Sequence, residues 1–100
     1  MKDHRILSEK QEKAAEQALY RAVLTLGSIE ECRDFFVDLC TPAELQAMKD
    51  RWVVVELLGE GKTYRDIHDL TGVSITTIGR VTRCLNNGAN GYATVLKRMG

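Results

Sequence analysis

One hundred residues with fourteen Lys/Arg against fourteen Asp/Glu make one small, formally neutral domain with a modest core, and zero net charge counts a little against a nucleic-acid partner. Three scattered cysteines, Cys32, Cys40 and Cys84, form no C-x-x-C, and His4 and His68 are the only histidines, so no tetrahedral metal set assembles at normal spacing and the thiols read as small reduced apolar side chains. No signal-peptide pattern occurs and no apolar run approaches the ~20 residues that span a bilayer, so a cytoplasmic protein without membrane contact is expected.

Residues 1–7 carry no pattern and are expected to be a flexible N-terminal tail, with 8–100 forming one domain. Ser8 and Gln11 fit a capping box. Ala14, Ala15, Ala18, Leu19, Ala22, Val23 and Leu26 then recur at helical spacing. A face this rich in alanine admits close approach and needs a partner surface. Gly27 is expected at the C′ position. Ser28 and Glu31 form a second capping box, and Ile29, Cys32, Phe35, Phe36 and Leu39 make one apolar stripe read as core packing.

A third start follows at Thr41, with Pro42 first and Glu44 third in the helix. Leu45, Met48, Trp52, Val55 and Leu58 share one side. The β-branched run Val53 to Val55 suits a strand, but the periodicity around it is helical and no turn signal interrupts it. Gly59-Glu60-Gly61 is a helix stop.

Residues 63–86 have the outline of a helix-turn-helix. Thr63 caps a short helix with Asp66 at its third position, and Ile67 and Leu70 face inward. Gly72 supplies a left-handed turn. Ser74 caps the next helix, whose buried side is Ile78, Val81 and Leu85. Asn86-Asn87-Gly88 closes it, and Tyr92–Met99 forms a last helix with Tyr92, Val95, Leu96 and Met99 apolar. Charge is uneven along the chain: residues 61–100 hold six Lys/Arg against Asp66 and Asp69, while 1–60 hold eight against twelve. The basic excess lies where phosphates would be met.

In such a motif the N-terminal part of the second helix faces base edges in the major groove. Ser74, Ile75, Thr76 and Thr77 occupy that part, and Gly79 is one turn on. Threonine can donate or accept, and its methyl can meet a thymine methyl. Arg65, on the first turn of the preceding helix, can reach a guanine in bidentate fashion. Arg83 adds a phosphate contact. Two readings of His68 stand open, a DNA contact and an ordinary surface residue. Arg51 and Arg80 are either two separate wet arginines or a convergent pair needing an anion. Histidine and cysteine never pair at a telling spacing and no glycine-rich phosphate loop occurs, so no catalytic residue, metal or cofactor is expected.

The run Leu39 to Leu45, Arg51, Val55 to Leu58, Gly61, Thr63 to Ile67, and Gly72 to Arg80 together resemble the Trp repressor superfamily. Glu30-Glu31-Cys32, Phe35-Phe36, Asp38-Leu39-Cys40 and Arg83 to Asn86 resemble its YerC/YecD group. The likeness spans roughly residues 15–96. It implies an all-α, six-helix subunit in an interwoven homodimer, with two helix-turn-helix heads on a pseudo-palindromic duplex at half-sites ~34 Å apart. It places Arg65 at a base-reading arginine, Ile75, Thr76 and Gly79 toward the groove, Thr77 near phosphate, and His68 where the Trp repressor has a lysine that reads bases through water.

The resemblance also implies an effector pocket around Thr41, Arg51, Arg80, Val81 and Cys84. Matching arginines in the Trp repressor clamp tryptophan. Here the chain departs from the pattern: Val81 replaces the glycine that leaves room for indole, and Cys84 replaces a serine that receives the amino group. Overpacking a tight slot costs about 1–3 kcal/mol, so tryptophan is not expected to bind, while another small anionic effector stays open. The implied function is a transcription regulator, a repressor, on double-stranded DNA. The alternative is a ligand-sensing or protein-interaction module on the same fold with little DNA binding.

Overall fold

A computed structural model describes residues 6–100, and these form six α-helices and no strand. They are α1 (Glu9–Val23), α2 (Ile29–Leu39), α3 (Pro42–Gly59), α4 (Tyr64–Thr71), α5 (Ile75–Asn87) and α6 (Gly91–Met99). The expected tail lies outside the described residues up to residue 5; Ile6 and Leu7 precede α1 and are exposed. The chain divides into two compact units, one ending at Leu39 and one spanning Cys40–Gly100.

In the first unit, α1 begins at a reciprocal box: Gln11 N–H donates to Ser8 Oγ at 3.2 Å and Ser8 N–H to Gln11 Oε1 at 2.8 Å. Glu9 and Glu12 in the first turn and Arg21 in the last complement the helix dipole. The helix ends at Val23, short of Gly27. The Thr25 hydroxyl donates to the Ala22 carbonyl at 2.7 Å, and Thr25 and Leu26 amides close onto Ala22 and Val23. The chain therefore leaves the helix before Gly27, which takes no left-handed conformation. Instead its N–H donates to Glu31 Oε1 at 2.7 Å, while Glu31 N–H meets Ser28 Oγ at 3.1 Å. The second box thus reaches one residue further back than expected.

Neither α1 nor α2 contains a buried residue. Phe35 and Phe36 stack edge to face with centroids 5.4 Å apart, and Cys32 and both phenylalanines are half-covered. Ile29 is 83 % exposed and Leu39 50 %. The stripe read as core packing is therefore only partly enclosed by its own unit.

The second unit has a closed core of Val54, Val55, Ile67, Val73, Ile78 and Val81, with Trp52, Leu57, Leu58, Tyr92 and Leu96 against it. α3 starts at the Thr41–Glu44 box with Pro42 in the first turn, and it runs unbroken through Val53 to Val55. Because α4, α5 and α6 all pack on it, its covered face is wider than a single stripe. Val54 is enclosed beside Val55, and Met48 is left 38 % exposed. Each fully buried valine or isoleucine stabilises the unit by roughly 1.5–3 kcal/mol. α3 stops in a Schellman motif: Gly61 N–H returns to Leu58 O and Lys62 N–H to Leu57 O, with Gly61 at φ +83°. Leu70, expected inside, is 66 % exposed, and Val95 and Met99 also face outward. α4 is too short to bury a second turn, and α6 covers the core through Tyr92 and Leu96 alone.

Candidate nucleic-acid interface

The α4–turn–α5 segment is held from both ends. Thr63 and Asp66 cap each other's backbone at 3.1 and 3.2 Å, fixing the start of α4. Ile67 on α4 and Ile78 and Val81 on α5 are enclosed in the core, which fixes one helix against the other. Between them Gly72 takes φ +77°, a conformation that costs an L side chain about 1–2 kcal/mol.

Side chains of α4 tie down the turn. Thr71 Oγ1 donates to Ile67 O at 2.6 Å and accepts from Val73 N–H at 3.0 Å, and His68 Nδ1 stands 2.8 Å from Val73 O. Thr71 and Val73 were not among the residues singled out from sequence. A threonine directly before the turn glycine is the signal that could have found the first. Ser74 then caps α5, its Oγ accepting from Thr77 N–H at 3.1 Å and donating to Thr77 Oγ1 at 3.0 Å. The Ser74 hydroxyl is thus committed as donor and acceptor, while Thr77 keeps its own hydroxyl proton to donate.

What remains outward on this head is a compact set. Arg65, His68, Ile75, Thr76, Arg80 and Arg83 are exposed, and Gly79 is half-covered. A Cβ built on Gly79 would lie 3.6 Å from Arg83 Nη1, so the Arg83 guanidinium folds back one turn over the bare glycine. Among the described residues Arg65, Arg80 and Arg83 form no ion pair or hydrogen bond with a carboxylate, which leaves their donors available. The first amides of α5 have no intrahelical acceptor and add positive potential at the same end.

The five residues of the expected effector pocket all lie in the second unit, Thr41 as the cap of α3, Arg51 on α3, and Arg80, Val81 and Cys84 on α5. Thr41 Oγ1 is used in the α3 cap. Arg51 and Cys84 are half-covered and Arg80 is exposed. Val81 is 1 % exposed, a core side chain. A shallow groove of about 400 Å³ in this unit is lined elsewhere, by Glu56, Gly59, Glu60, Leu96, Met99 and Gly100.

Fold and site together define an all-α helix-turn-helix protein whose second helix begins in a cationic, hydroxyl-bearing surface. The chain matches the family model described as Trp repressor protein over residues 14–100, and it belongs to the Trp repressor family. It is 46 % identical over 81 residues to the uncharacterized protein YerC of Bacillus subtilis (strain 168), covering 81 % of this chain and 78 % of that one. A TrpR-like protein from Eubacterium eligens ATCC 27750 superimposes with a TM-score of 0.85 at 41 % identity, covering 93 % of this chain and 96 % of the other. A structure from Staphylococcus aureus gives 0.82 at 42 % identity, covering 92 % and 95 %. The expected all-α fold and the YerC-group resemblance hold. The family is one of DNA-binding regulators, and no helix of the described residues is long and apolar enough to cross a membrane.

Proposed function

We propose that this chain is a sequence-specific double-stranded DNA-binding regulator, a repressor acting in the cytoplasm as a homodimer on a pseudo-palindromic operator. The observation that carries the reading is the rigid α5 N-terminus. Ile75 and Thr76 project from it, flanked by Arg65, Arg80 and Arg83, which have no carboxylate partner among the described residues. Arg65 and Thr76 read bases, Ile75 and Gly79 allow close approach, and Arg80, Arg83 and Lys62 meet phosphate. Residues 8–100 act as one domain completed by a second copy, which covers the apolar faces that α1 and α2 leave open.

Selection of bound duplexes from random DNA, followed by a salt titration, tests this. A regulator enriches one palindromic sequence, and its affinity falls about 10³–10⁵-fold between 50 and 200 mM salt if it makes 6–10 phosphate contacts. The exposed Leu70 on the head favours a second reading, a protein-interaction module. That module enriches no sequence at any salt. Any effector is a small anion drawn to Arg51 and Arg80, and the buried Val81 speaks against indole. Calorimetry with tryptophan is expected to give no micromolar binding.

A further inference from the structure

Val73 is the one residue between the left-handed glycine and the cap of α5, and it is 9 % exposed. Both of its backbone polar groups are taken by α4 side chains, the N–H by Thr71 Oγ1 and the C=O by His68 Nδ1. A carbonyl oxygen can only accept, so the 2.8 Å contact puts the ring proton on Nδ1. The neutral ring has one such proton, which leaves Nε2 as a bare acceptor on the far side from the turn. His68 is exposed and lies three residues after Arg65, on the same face of α4. Its ring rests on the chain entering the α5 N-terminus, the end that meets base edges in this motif.

We propose that His68 is a specificity-determining residue with two ends. Nδ1–H holds Val73 and with it the direction of α5, and Nε2 accepts a hydrogen bond from the exocyclic amino group of an adenine or cytosine in the major groove. The proposal rests on the DNA-binding reading above. Phosphate, guanine O6 and N7, and thymine O4 are all acceptors and are repelled by a bare Nε2. Arg65, which carries donors only, suits those groups instead. The two neighbours on one face therefore ask for opposite base chemistry.

Two substitutions separate the ends. His68→Asn keeps an N–H near Nδ1 and stops short of Nε2, whereas His68→Gln reaches the outer position and loses the inner donor. Three measurements use the full chain at pH 8: ¹H–¹⁵N NMR of the ring, thermal unfolding, and selection from a random duplex pool. The expected ring is the Nδ1–H form. His68→Asn should melt near the wild-type midpoint, with His68→Gln lower by about 4–8 °C for the lost part-buried hydrogen bond. In selection, His68→Asn should lose about tenfold of the preference for an amino-bearing base at one position, whereas His68→Gln keeps it through its amide oxygen. An Nε2–H ring, or equal melting of the two variants, overturns the staple even if the wild type selects a sequence. A wild type that enriches no duplex while its ring remains Nδ1–H overturns the DNA-binding reading and the outward role with it. An unchanged base preference in His68→Asn overturns the outward role alone.

Discussion

Replacing Gly72 by alanine isolates the energy of one backbone conformation. Gly72 sits at φ +77° and ψ −1°, and a Cβ added there meets nothing within 4 Å. No clash contributes, so the penalty is the left-handed conformation itself, about 1–2 kcal/mol for an L residue. Alanine also narrows the unfolded ensemble, which offsets about 0.4–1 kcal/mol. The net expectation is about 1 kcal/mol of destabilisation. Asparagine tolerates this region through its own short polar side chain, so Gly72→Asn should recover at least half the loss. Urea unfolding at one fixed protein concentration reads both values. With a slope of about 1–2 kcal/mol/M, Gly72→Ala lowers the midpoint by about 0.5–1 M without changing the slope. A neutral alanine, or an asparagine no better than alanine, would refute the backbone argument.

Gly88 is needed for a different reason. Its φ of −86° suits any residue, but a Cβ there runs into the Cys84 carbonyl oxygen. Gly88→Ala should therefore break the Gly88 N–H to Cys84 O bond, unwind the end of α5 and cost about 1–3 kcal/mol; asparagine should not rescue it, and amide exchange at the end of α5 would report the loss. Arg65→Ala should leave thermal stability unchanged, because the side chain makes no ion pair among the described residues, yet relax preference at one base pair by about 1–3 kcal/mol in a binding-site selection. Tyr20 donates to Glu16 Oε2 at 2.8 Å, and that bond, with the nearby negative charge, raises its phenol above the usual 10.0. The raised value means the contact favours the folded chain below pH 10 and is lost as pH rises through the folded midpoint. In an ultraviolet titration, Glu16→Ala should move the Tyr20 transition to lower pH.

The capping boxes at Ser8, Thr41 and Thr63 and the turn at Gly72 were legible because they are local. The residue that bonds and the residue that needs the bond lie within three positions, and their types suffice. The β-branched run in α3 was legible as helix from the periodicity on either side. Burial was harder. Val54 was missed because α3 is enclosed by three helices at once, and Leu70 was misplaced because eight residues of α4 give only one buried position. Gly27 misled because a threonine hydroxyl ended α1 first. On the α4–turn–α5 segment, the outward placement of Arg65, Ile75 and Thr76 could be read by counting turns. The Ser74 hydroxyl bond to Thr77, and the Thr71–Val73–His68 clamp, depend on rotamers that no spacing rule fixes.

Under the homodimer reading, the open surface of α1 and α2 would couple the amount of this protein to its association. Solitary copies display Leu24 and Ile29 at more than four-fifths exposure, the kind of apolar surface that chaperones and proteases act on. Under the homodimer reading, a copy that meets another hides that surface and survives, while an isolated copy is cleared. Association favours the folded state by mass action, and small free-energy differences change abundance several-fold in cells. The regulator then has a floor concentration, below which its pool empties faster than in proportion to synthesis. Its target genes would then be released over a narrow range of dose.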